Sequence, residues 1–106
     1  MRYFYRKNEL SGTDCHEFFS GKWNGIFWNE GSLYIYDDDF RQTGLRHILA
    51  KTVEDYSPYD ATEIYPDDWE EICVIARLTA EDALNEIAPW VKRAFDEHGM
   101  FTILGI

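Results

Sequence analysis

What the second half of this 106-residue chain lacks is positive charge. From Glu54 onward thirteen acids meet only Arg77, Lys92 and Arg93, whereas from Met1 to Val53 seven acids and seven bases cancel, so the whole net charge of −10 belongs to the second half. A concentrated negative field repels nucleic acid and anionic lipid and draws basic proteins inward, so direct binding to nucleic acid or membrane is not expected. Long apolar runs are missing too. None approaches the roughly 18 residues needed to cross a bilayer, and the opening MRYFYRKNEL lacks the apolar core of a secretion signal, so a cytoplasmic location is expected. Cysteine is scarce: Cys15 and Cys73 lie far apart, and in such a chain buried reduced thiols are expected rather than a disulfide.

The usual signatures of catalysis are also absent. There is no G-x-S-x-G, and Cys15 beside His16 is not a dyad by adjacency alone, because a catalytic pair is defined by geometry. The three histidines, His16, His47 and His98, show no H-E-x-x-H spacing and the cysteines no C-x-x-C, so no zinc site is expected. Asp37-Asp38-Asp39 continues into Phe40-Arg41-Gln42, which does not supply the alternating oxygen ligands of a calcium loop. No glycine-rich phosphate loop is present, and no cofactor is implied. The expectation is a protein that is not an enzyme.

What the chain does hold is a globular composition, 45% hydrophobic and 17% aromatic, in a length that suits one domain over residues 1–106. Tyr3-Phe4-Tyr5 reads as a first strand, followed by a loop around Ser11-Gly12. Cys15 to Ser20 fits neither the helical nor the strand period and could be a helical turn or a strand. Ile26-Phe27-Trp28 and Leu33-Tyr34-Ile35-Tyr36, joined by Asn29-Glu30-Gly31-Ser32, predict a β-hairpin with Gly31 at positive φ.

From Asp38, the residues Phe40, Leu45, Ile48, Leu49 and Val53 trace a helical stripe, with Asp37 to Asp39 placed for the cap and first turn and Gly44 weakening the early part. Ser57-Pro58-Tyr59-Asp60 is a turn signal, and Thr62 to Tyr65 reads as a brief strand or extended loop. Pro66 suits the first position of a helix carrying Trp69, Ile72, Cys73 and Ala76 on one side. A further helix is predicted from Thr79 to Gly99, with Pro89 imposing a kink or a restart, and Met100 to Ile106 predicts a covered strand. Together these predict an α+β fold: a small, largely antiparallel sheet with about three helices packed on one face.

The segment EDYSPYDATEIYPDDWEE, Glu54 to Glu71, concentrates eight carboxylates and four aromatic rings without a lysine or arginine. One reading is a solvated loop and helix start whose acids serve solubility and the helix dipole. The other is an interface, with rings as rigid contact area and carboxylates that pair with a basic partner and speed encounter. The expected binding face comprises Asp37, Asp38 and Asp39 with Tyr56, Tyr59, Asp60, Glu63, Tyr65, Asp67, Asp68, Glu70 and Glu71. Trp28 and the other first-half aromatics are assigned mainly to packing.

The run Phe27-Trp28-Asn29-Glu30-Gly31-Ser32-Leu33-Tyr34-Ile35, the acidic aromatic middle, and the ending Glu97 to Ile106 resemble small acidic immunity proteins of bacterial polymorphic toxins, including contact-dependent growth inhibition systems. The resemblance implies an antitoxin that binds a cognate toxin domain and occludes its active site or substrate surface. Many such toxins are nucleases, whose phosphate-binding grooves are basic and open to an acidic inhibitor. The alternative expectation is an acidic nucleic-acid mimic or regulatory adaptor that binds a basic protein of the host cell.

Overall fold

The short β-rich runs pair into one sheet in the computed structural model, which describes residues 1–105; Ile106, included in the predicted last strand, lies outside the described residues. The strands are β1 (Phe4–Tyr5), β2 (Cys15–Ser20), β3 (Leu33–Tyr36), β4 (Ala61–Ile64) and β5 (Phe101–Leu104). Their order is β1-β3-β2-β5-β4 and every neighbouring pair is antiparallel. The α+β expectation holds, with a five-stranded sheet and three α-helices: α1 (Asp37–Gln42), α2 (Leu45–Thr52) and α3 (Pro66–His98).

Register explains the two faces. His16 pairs with Ile35, Phe18 with Leu33 and Ile103, and Ile64 with Phe101, so these side chains share the face that the helices cover. That face meets Phe40, Leu49, Ile72, Ala76, Ala83 and Ile87 in the core. Phe101 lies at its centre, stacked on Phe18 and edge-on to Trp69 and Trp90, a packing worth about 1 kcal/mol per ring pair beyond area burial. Cys15, Glu17, Tyr34, Thr102 and Leu104 point the other way, yet they too are buried, because the segment between β2 and β3 folds back over that face. β2 is thus a central strand covered on both sides, which resolves the ambiguity of Cys15 to Ser20.

Three local expectations are corrected. Ile26-Phe27-Trp28 is not a strand: β3 pairs with β2 and β1, and residues 21–32 form an irregular segment. Its turn signal lies upstream at Asn24-Gly25, where Gly25 has φ +86°, and the segment's other left-handed residues are Gly21 at φ +86° and Trp28 at φ +65° rather than Gly31. The stripe from Asp38 to Val53 is two helices, because Gly44 adopts φ +80° between them. Finally, the helix runs unbroken through Pro89, whereas the restart expected at Thr79 is present, as a kink inside α3 at Ala80 (φ −133°, ψ 24°). That break lies where Gly44, at the start of α2, comes against Thr79.

The two sheet edges are treated differently. At β1 the Glu86 carboxylate of α3 accepts the Tyr3 and Phe4 amides at 2.8 and 2.7 Å, which closes the edge. At β4 the Gly105 amide bonds the Asp60 carbonyl, and with the register this turns the Thr62 and Ile64 amides toward β5 and those of Ala61 and Glu63 outward. Ala61 bonds the Asp60 carboxylate, while Glu63 faces outward at an open edge.

Candidate functional site

That open edge is where the acidic stretch converges. Val53, Glu54, Asp55, Ala61, Thr62, Glu63, Tyr65 and Asp68 surround a groove of about 390 Å³ along β4. Four carboxylates therefore line one concavity, contributed by the loop after α2, the edge strand and the first turn of α3. Among the described residues none of the four forms an ion pair with lysine, arginine or histidine. Asp68 accepts the Tyr65 amide at 3.0 Å and so caps α3, and Glu63 accepts the Tyr65 hydroxyl at 2.9 Å, which raises that phenol above its usual pKa. Tyr65 is left half exposed at the groove wall.

The other expected site residues divide. Tyr59 is 73% exposed on the Pro58–Tyr59 turn, which packs over Gly105, and Asp60 is exposed beside it. Asp67, Glu70 and Glu71 are exposed on the first turns of α3. Tyr56 is half-buried against the core with its hydroxyl enclosed and unpartnered, and burial pushes its pKa up to about 12. The Asp37–Asp39 run follows β3, which two intervening strands separate from β4, and none of it lines the groove.

Asp37 itself is buried rather than presented. It sits 2.7 Å from His16 Nε2, 2.9 Å from Arg41 Nε and 4.0 Å from Arg46. Burial pushes its pKa up, but the His16 hydrogen bond and the two guanidinium charges outweigh it and hold the carboxyl below its usual range. His16 is fully buried against the Phe40 ring, and burial lowers its pKa against the upward pull of Asp37. A neutral ring with hydrogen on Nε2 donates to Asp37 and leaves only the acceptor Nδ1 without a partner, so His16 and Asp37 are a structural pair.

A second feature was not read from the sequence: an aromatic segment held on the far face of the sheet. Glu17 is buried, and its carboxylate accepts the Trp28 amide (2.9 Å), the Asn29 amide (3.2 Å), Asn29 Nδ2 (2.9 Å) and the Ser32 hydroxyl (2.6 Å). Trp28 stacks on Tyr34 at 5.6 Å, and beside it Ile26 and Phe27 are 63% and 51% exposed. Phe27 and Trp28 border a cavity of about 300 Å³ with Thr13, Cys15, Glu17, Leu104 and Gly105. Burial pushes the Cys15 thiol up to about 11, which suits a packed thiol rather than a nucleophile, and both cysteines are free. Three bulky apolar residues in succession would have been the signal, since a one-sided strand alternates.

Comparison with protein families, with curated proteins and with solved structures gives no match to this chain. Among the described residues no cluster of histidine, cysteine and acidic side chains is arranged to hold a metal ion, and no helix is long and apolar enough to cross a membrane.

Proposed function

We propose that this chain is an immunity protein that binds a basic toxin domain, a nuclease, through the acidic groove beside β4. The observation that carries this reading is the gathering of Glu54, Asp55, Glu63 and Asp68 around one groove without a cationic partner among the described residues. Clustered like charges destabilise the free chain, and each becomes favourable only when a cation arrives. A lysine or arginine about 4 Å from one carboxylate gains about 1 kcal/mol in water and about 4 kcal/mol in a partly desolvated contact, before the cost of removing both groups from water. Tyr65 supplies a half-exposed ring among these charges, in the mixture of aromatic anchor and charged rim that protein interfaces use.

The test begins with the gene next to this one: the C-terminal part of its product is expressed in a bacterium with and without this chain, and growth is followed. Killing that this chain alone reverses supports immunity; killing that it does not reverse removes the reading. The groove is then tested with the triple variant Glu54→Gln, Asp55→Asn, Glu63→Gln, leaving Asp68 in place because it caps α3. Association with the toxin domain should slow by about tenfold or more at low salt, with the difference shrinking at high salt. An unchanged association rate at low salt would exclude the groove as the binding face. Capture of several unrelated basic proteins, without rescue, would instead favour the acidic mimic or adaptor.

A further inference from the structure

We propose that the pocket between α1, α2 and the Tyr56–Pro58 segment binds a small oxyanion, a phosphate monoester or a carboxylate. Arg41, Arg46, His47, Ala50, Tyr56 and Pro58 line a cavity of about 300 Å³. In a chain with twenty acids and ten bases, no carboxylate among the described residues lines this cavity and two of the ten bases do.

Arg46 carries most of the weight. Its side chain is only 21% exposed, its nearest carboxylate is Asp37 at 4.0 Å, beyond hydrogen-bond reach, and its guanidinium makes no hydrogen bond among the described residues. A guanidinium largely withdrawn from water with its forked donors unused is costly, and the acceptor that fits two of those donors at once is an oxyanion. Arg41 is held by the Asp37 contact at its Nε, which orients the side chain and leaves its terminal nitrogens free for a ligand. Asp37 is already committed to His16 and Arg41, so it offsets one of the two guanidinium charges and leaves the pocket net positive before His47 is counted.

The remaining wall is apolar. Ala50, Pro58 and the Tyr56 ring can cover a small carbon body attached to the oxyanion, and the volume sits at the low end for small-molecule sites, which points to a monoester or simple acid rather than a dinucleotide. The helix α2, LRHILAKT, contains no acid and places Arg46, His47 and Lys51 on its outer side. This pocket is distinct from the groove beside β4, shares no lining residue with it, and does not rest on the immunity reading.

The test is a titration of the isotope-labelled full chain followed by NMR at constant ionic strength, with inorganic phosphate, phenyl phosphate and benzoate as separate probes. Saturable shifts of the Arg41 and Arg46 side-chain signals and the His47 ring are expected, with half-saturation at about 1 mM or below for at least one probe. Phosphate probes acting alone, or benzoate acting alone, would each support the oxyanion site and identify its source. Arg46→Gln should weaken the same response about tenfold, and His47→Gln, an exposed change that spares the buried pair, supplies the second variant if Arg46→Gln does not fold. Shifts that grow linearly with every probe, or that persist unchanged in the folded variants, would overturn the proposal.

Discussion

Removing the Glu17 carboxylate should detach the aromatic segment from the sheet and cost about 3 kcal/mol. Of its four donors, the Ser32 hydroxyl lies in a buried contact, and leaving it unsatisfied costs about 2 kcal/mol. The Trp28 and Asn29 donors are only partly buried, so water recovers much of their loss, and together they contribute about 2 kcal/mol more. Against this, Trp28 is held at φ +65°, and its release returns about 1 kcal/mol of backbone strain. The balance gives about 3 kcal/mol for Glu17→Ala, or a melting temperature lower by roughly 12–24 °C for a domain of this size. Glu17→Gln keeps one acceptor oxygen and should lose about half as much. Urea unfolding followed by tryptophan fluorescence measures the loss, and amide exchange at Trp28 and Asn29 locates it. A Glu17→Ala protein within about 0.5 kcal/mol of the parent, with those amides still protected, would refute the assignment of Glu17 as the anchor.

Two further perturbations test the frame around the site. The folded chain holds both His16 and Asp37 below their ordinary pKa values, so in each case the unfolded chain takes up the proton first as pH falls. The urea midpoint should be flat between about pH 7 and 8, decline below about 6.5 as His16 protonates in the unfolded state, and decline again below about 4 through Asp37. Asp37→Asn should shrink the acid limb, of which Glu9, held low by its hydrogen bond from Arg2, keeps a part; an acid limb unchanged by it would place the linkage elsewhere. Gly105→Ala would set a Cβ 2.2 Å from the Pro58 carbonyl oxygen, a backbone clash that side-chain motion cannot relieve. A loss of about 3 kcal/mol in urea unfolding is expected, and a neutral result would show that the Pro58–Tyr59 turn is free to move away from β5.

The helices and the α+β class were legible because their signals are local: Pro66 at a helix start, Gly99 at φ +76° after its end, and an apolar stripe between them. β3 was legible through its β-branched and aromatic composition, although Tyr34 and Ile35 are buried on opposite faces. β2 was not, because Cys15 and Glu17 are buried by the folded-back segment while His16 and Phe18 are buried by the helices, so no period-two pattern survives. Ile26-Phe27-Trp28 imitated a strand through composition alone. The acidic stretch was legible as a charge excess, but its division was not: Glu63 and Asp68 meet Glu54 and Asp55 only through the sheet edge, and Asp37 is withdrawn by the distant partners His16 and Arg46. Burial of a particular carboxylate is a long-range property, and Asp37, Asp38 and Asp39 are indistinguishable until the chain folds.

The groove acids then make a prediction that separates an interface from a solubilising surface. If Glu54, Asp55 and Glu63 repel one another without compensation, the triple amide variant should leave the free chain as stable as before or more stable, by about 0.3 kcal/mol for each repulsive pair relieved. The same change should weaken the toxin complex through a slower association rate, so stability and binding move in opposite directions. Added salt should imitate the first effect in the parent chain, raising its urea midpoint by screening the same repulsions, and should do so less in the variant. A variant less stable than the parent would show that these carboxylates hold the fold together. Their grouping beside β4 would then be a consequence of local structure, and the positive surface that the groove awaits would have no support in the molecule's own energetics.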